Sequence, residues 1–229
     1  MRRKTADLIW IILLSCCACL VFFWVARVIQ PSYPVKATIR LLLFLGAPLV
    51  FWILRRRLSL GEILRRLLPR RNQLKQLGLI LIAGAALILL ANWLVDPLCR
   101  LFGVESIVAE ISSRSQTNQE RMIKAMIFIP LVNACGEELF FRFFCVLELD
   151  TLGYQRLALI FPAVLFSLYH LAIIRSWFSP ALLILVLGGL FLSGLVLGLL
   201  VRRDRHICGV WLLHGLVNIA ALSVSLRFF

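Results

Sequence analysis

Seven apolar runs, each about 20 residues long and so able to cross the hydrocarbon core of a bilayer, take up most of this chain. No water-soluble fold hides that much apolar surface, because a single domain still turns a large share of its surface to solvent. The totals agree: 62% of the 229 residues are hydrophobic and 16% are charged, against roughly 45–50% and about 25% in soluble domains. The expectation is an all-α polytopic membrane protein of about seven (six to eight) transmembrane helices in one bundle, a single domain over residues 1–229. Cytosolic enzymes, secreted disulfide scaffolds and disordered tails are excluded.

The runs fall at about 8–28, 38–54, 77–95, 121–147, 157–174, 181–201 and 207–226. Arg2, Arg3 and Lys4 precede the first, as in a signal peptide, but the apolar region of a signal is only about 7–15 residues. The run therefore reads as a retained anchor. Between the second and third, Leu60, Ile63, Leu64, Leu67 and Leu68 recur at spacings of three and four, predicting a helix in the membrane interface. Residues 96–120 read as a polar loop with a short amphipathic piece at about 98–111. Gly194 and Gly198, four apart, predict close helix packing.

The formal charge of +14 is carried by short basic stretches between apolar runs. That placement does not make the basic face nucleic acid needs; it suits anionic lipid headgroups, above all along the basic 55–75 segment. Fifteen of the 25 Lys and Arg residues lie at the N-terminus, in 55–75, at Arg156 and in 202–206. Threading seven spans puts all four stretches on one side, which predicts a cytoplasmic N-terminus. With the small size, this points to a bacterial inner (plasma) membrane. The odd count of seven cysteines, mostly in or beside apolar runs, reads as small embedded hydrophobes rather than a disulfide framework.

Against this background Glu137, Glu138 and Arg142 stand out. An ionisable group at mid-membrane costs about 2.5–3.5 kcal/mol on insertion scales, yet the fourth run holds three within six residues. Glu138 and Arg142 are four apart and predict an ion pair on one helix face. Glu137 is turned about 100° away, on the face of Asn133 and Phe141. His170 lies in the fifth run, and His214 with Asn218 four residues on lies in the seventh. At about 1.5 Å per residue, Glu137, His170 and His214 come to similar depths, while Pro130 is expected to distort the fourth helix and open room. His206, beside Arg205, reads as a solvated loop residue.

A buried carboxylate beside a histidine can hold and deprotonate a water. His and Asn on one face can donate hydrogen bonds to an oxygen that becomes negative. Together they describe water attack on a peptide carbonyl. Glu137, His170 and His214 are also a ligand set that zinc accepts, so a zinc-dependent version stays open. So do a proton-coupled transporter, which would use Glu137 and leave the His–Asn pair idle, and a non-catalytic immunity or partner-binding membrane protein.

Glu137-Glu138-x-x-x-Arg142, Phe166-x-x-x-His170 and His214-x-x-x-Asn218, in that order on separate apolar runs, resemble the CAAX prenyl endopeptidase and bacteriocin-processing family of glutamate-type intramembrane proteases. The resemblance covers about residues 120–220, the family-like catalytic core. It implies Glu137 as the base that activates water with His170, His214 and Asn218 as the oxyanion site, and Glu138 with Arg142 as positioning groups. It implies no cofactor or metal, and a protein or peptide substrate in the membrane. The substrate's identity, the cleavage site and the oligomeric state are left open. Bacterial members often have Gly after the motif arginine; here it is Phe143, which puts the local packing in question.

Overall fold

The computed structural model describes residues 2–67, 73–102 and 119–228. Its elements are α1 (Arg2–Trp24, continuing in π-helical form over Val25–Ile29), α2 (Tyr33–Leu54), α3 (Leu60–Leu67) and α4 (Leu74–Phe102), then α5, then α6 (Gln155–Ile174), α7 (Pro180–Asp204) and α8 (Ile207–Ser225). The fourth apolar run is α5, a continuous helix whose turns alternate between α (Gln119–Phe128, Ala134–Glu137, Leu147–Thr151) and π (Ile129–Asn133, Glu138–Val146). The described secondary structure is all helical, as the apolar runs require. Among the described residues six helices are long and apolar enough to cross a membrane; the charged α5 is not one of them. The amphipathic piece expected at 98–111 lies mostly outside the described residues.

Chain breakers mark the boundaries. Gln30 takes a left-handed conformation (φ 51°) at the end of α1, and Pro34 and Pro180 occupy the first turns of α2 and α7, where a missing N–H costs nothing. Gly153, at φ 91°, permits the sharp reversal that folds α6 back along α5. A helix, α3, stands where the spacing predicts one, with Ile63 turned into the core and Glu62 accepting from the Ser59 amide and hydroxyl in a reciprocal cap; Leu68 lies outside the described residues. His206 departs from expectation. It is buried (5% exposed) and caps α8 by accepting from the Cys208 amide at 3.1 Å, because a chain entering a helix needs an acceptor there.

Small residues set the helix spacing. A Cβ on Gly194 would lie 3.0 Å from both Cα and Cβ of Ala163, and one on Gly198 would lie 3.2 Å from Leu159, so α7 approaches α6 through the predicted glycine pair. Gly194→Leu should therefore drive α6 and α7 apart and destabilise the bundle by about 1–3 kcal/mol, read as a lower unfolding midpoint in detergent.

At the end of the bundle carrying the basic stretches, Asp7 of α1 binds Arg55 at 2.6 Å and Arg56 at 3.0 Å. Arg56 also binds Glu148 of α5 at 2.7 Å, and the Trp52 indole donates to the same carboxylate at 2.9 Å. Two of the arginines in the segment expected to face lipid are thus committed to tying α1, α2 and α5 together. Phe143 packs edge-on against Trp52, with centroids 5.6 Å apart. The departure from the family's glycine is therefore absorbed in the α2–α5 contact.

Candidate active site

Pro130 is where α5 changes character. Proline has no N–H to donate and its ring crowds the preceding turn, and π-helical bonding begins beside it. Its carbonyl accepts a 3.0 Å hydrogen bond from the Trp211 indole of α8, and Gly215 packs on it so closely that a Cβ there would lie 3.3 Å from the same oxygen. The distortion expected of Pro130 thus docks α8 on α5 beside His214. The second π-helical stretch, Glu138–Val146, carries Glu138 and Arg142. Such wide turns recur at functional sites.

Glu137, Glu138 and Arg142 are among the most deeply enclosed side chains, at 2%, 0% and 1% exposure. Around them Phe44, Phe140, Phe141, Phe144 and Phe166 form a buried aromatic wall. Arg142 Nε lies 3.3 Å from Glu138 Oε2, so the expected pair is present, and the guanidinium carbon sits 4.1 Å from the Phe166 ring centroid. Among the described residues no hydrogen bond reaches the Arg142 nitrogens; the carboxylate and the aromatic face together stabilise the charge. The other oxygen of Glu138 lies 2.8 Å from His214 Nδ1. Glu138 therefore links the arginine to the imidazole.

Glu137 faces elsewhere. Its Oε1 accepts from Asn133 Nδ2 at 2.6 Å, one turn earlier in α5, and from the Tyr169 hydroxyl of α6 at 2.5 Å. Its Oε2 lies 3.8 Å from His214 Nε2. His214 thus stands between the two carboxylates. No hydrogen bond or ion pair joins Glu137 to His170 directly among the described residues, although the two interact electrostatically.

The His170 ring packs on Tyr169, with centroids 4.3 Å apart, and edge-on to Phe166 at 4.7 Å. Its Nδ1 lies 2.7 Å from the Phe166 carbonyl oxygen. A carbonyl can only accept, so Nδ1 carries the proton and Nε2 presents a lone pair in the neutral ring. Asn218 lies one turn beyond His214 on α8 and makes no hydrogen bond among the described residues. Residues distant in sequence on α5, α6 and α8 are thereby brought to one place.

Two groups were not singled out in the sequence. Tyr169 had been only one residue of the apolar run leading to His170, yet it holds Glu137. A tyrosine within a buried segment needs a partner for its hydroxyl, and that was the available signal. Tyr169→Phe removes a charge-assisted hydrogen bond of about 1.5–3 kcal/mol. If Glu137 acts in turnover, kcat should fall roughly tenfold or more while the protein stays folded. The other group is Arg40 of α2, buried (7% exposed) within the second apolar run.

Residues 119–220 match the Rce1-like family, described as type II CAAX prenyl endopeptidase Rce1-like. That segment, a little under half of the chain, is similar to this family of membrane proteases. The match spans α5, α6, α7 and most of α8, and contains all three motifs. No curated protein and no solved structure matches the chain. The Rce1-like segment thus holds every group assembled between Pro130 and Asn218, while α1, α2 and α4 lie outside it. Among the described residues no group of three or more His, Cys, Asp or Glu side chains is disposed to hold a metal ion.

Proposed function

We propose that the chain is a glutamate-type intramembrane endopeptidase in which Glu137 and His170 activate water against a peptide bond of a membrane-associated protein or peptide. The observation that carries this reading is the division of acceptors at the site. Among the described residues Oε1 of Glu137 is occupied by two donors, Oε2 accepts no hydrogen bond, and His170 keeps Nε2 as a free acceptor. Two lone pairs directed at one water hold both its hydrogens and leave its oxygen to attack.

The steps balance as follows. The water oxygen forms a bond to the carbonyl carbon while Glu137 takes the proton, and the carbonyl π electrons pass to oxygen. His214 Nε2–H and the Asn218 amide donate to that oxyanion, each worth about 10²–10³ in rate. Because Nδ1 of His214 is given to Glu138, it donates from Nε2 only in its doubly protonated form. The tetrahedral species collapses with cleavage of C–N, and the departing amine carries away the proton held by Glu137. Glu138 and Arg142 position His214. No metal is invoked.

Glu137 lies 14 residues before the end of α5 and His170 lies 15 residues after the start of α6. Both are therefore about 20 Å from the end with the basic stretches, in a core about 30 Å thick. With the N-terminus cytoplasmic, the cleaved bond sits beyond the midplane. That placement accommodates substrates cut near the outer face. Arg57 and Arg65, both exposed, are the proposed contacts for anionic headgroups.

The test is purified protein in liposomes, offered a farnesylated peptide ending in a CAAX box and an unlipidated apolar peptide, with products read by mass spectrometry. One new C-terminus, dependent on Glu137 and insensitive to chelator, is expected. Loss with chelator and return with zinc would favour the metal version. Flux without a cleaved product would identify a transporter. If neither cleavage nor flux occurs, and a cellular phenotype survives substitution of Glu137 and His170, the role is non-catalytic.

A further inference from the structure

Among the described residues, Arg40 is a charged residue near this site for which the proteolytic reading supplies no role. It lies seven residues into α2, outside the Rce1-like segment, and about 10 Å from the nearer end of its helix. An arginine within a membrane span is expensive unless it is paired or set against a watery space, and its long side chain usually snorkels to the interface. Arg40 does neither: at 7% exposure it is turned into the bundle.

Its surroundings lead to the candidate active site. The guanidinium carbon lies 5.6 Å from the centroid of Phe22, the Phe22 ring is 6.0 Å from that of Tyr169, and Tyr169 holds Glu137. Arg40 also interacts electrostatically with Glu137, Tyr169 and His170 together. Among the described residues, however, no carboxylate pairs with it and no acceptor takes its hydrogen bonds. Arg142 differs. Its nitrogens are sealed from solvent and stabilised by Glu138 and Phe166, whereas those of Arg40 are not among the sealed, unpartnered atoms. Five N–H donors in a planar fork, largely enclosed by protein and left without a carboxylate partner close to the groups around Glu137, suit a carboxylate bound bidentately.

We propose that Arg40 is a specificity-determining residue that receives a carboxylate of the peptide substrate. This deepens the endopeptidase reading and rests on it. The carboxylate is either the free C-terminus or an acidic side chain; the chemistry presented to Arg40 is the same.

Binding is measured on purified protein in nanodiscs, so the answer does not depend on turnover. The probes are a fluorescent N-acyl apolar tetrapeptide with a free C-terminus, its C-terminal amide, and the amide carrying one glutamate. A charge-assisted pair predicts that wild type binds at least one carboxylate probe roughly tenfold or more tighter than the plain amide. The free acid being favoured identifies the C-terminus as the source, and the glutamate amide identifies a side chain. Arg40→Gln should bring the preference below twofold, and Arg40→Lys should keep part of it. Both variants are checked for an unchanged unfolding midpoint. Equal binding of all three probes by wild type, no binding of any, or a preference that survives Arg40→Gln would overturn the assignment. Carboxylate-selective binding without cleavage would sink the protease reading and leave the anion site standing; cleavage without selectivity would do the reverse.

Discussion

Glu137→Gln is expected to abolish peptide cleavage while leaving the bundle folded. The amide is nearly isosteric with the acid, and its carbonyl oxygen can still accept from Asn133 and Tyr169 at Oε1. What is lost is the basic oxygen that faces His214 and is free to bind water. A positioned general base contributes about 10²–10⁴ in rate. The charge lost beside His214 also weakens the oxyanion site, so the measured loss should reach or exceed the upper end. The check is single-turnover cleavage with an unfolding scan of the same preparation. Full activity would reject the base role outright. Unfolding would be equally informative, because it would make Glu137 a structural brace.

The second large effect is expected at Arg142, and it concerns stability. Arg142 pairs with Glu138, which is wholly enclosed and shared with His214. Arg142→Met fills a comparable volume but leaves Glu138 without its arginine, and breaking a buried pair from one side costs about 3–5 kcal/mol. The single variant should unfold at markedly lower temperature in detergent. Glu138→Gln combined with Arg142→Met removes both charges and should recover most of that loss, since an apolar replacement for a buried pair is often neutral. Activity should not recover with stability, because Glu138 also orients His214. A double variant that regains stability and turnover together would deny Glu138 and Arg142 any part in positioning that ring.

These effects depend on features that were legible in the sequence to different degrees. The spans could be read because bilayer thickness leaves little freedom in the length of an apolar run. The first expected run, 8–28, lies within helix 2–29, and the last, 207–226, matches helix 207–225 within a residue. The Glu138–Arg142 pair was legible because four-residue spacing on a helix makes neighbours. Pro130 could be read as a distortion, but the direction could not: whether proline kinks a helix or widens it into π turns depends on what packs beside it, here α8, whose Trp211 indole donates to the Pro130 carbonyl.

Contacts between helices were the least legible, because no periodicity within one run carries them. Arg55 and Arg56 looked like headgroup ligands until Asp7 and Glu148 arrived from two other helices. Arg40 is a sharper case. A single arginine in an apolar run is as conspicuous by cost as Glu137, but it stands alone in the sequence and gains meaning only beside Phe22 and Tyr169. His214 shows how partners change a role: the sequence pairs it with Asn218, whereas the fold also places it between two carboxylates.

The central claim is that two acceptors from different helices hold one water for attack, and a high-resolution experimental structure of the protein in lipid tests it most directly. The account predicts an ordered water within hydrogen-bond reach of both Oε2 of Glu137 and Nε2 of His170, lost in Glu137→Leu. A Glu137 carboxylate turned toward the acyl chains, or one separated from the His170 ring by packed side chains with no room for a water, would contradict it.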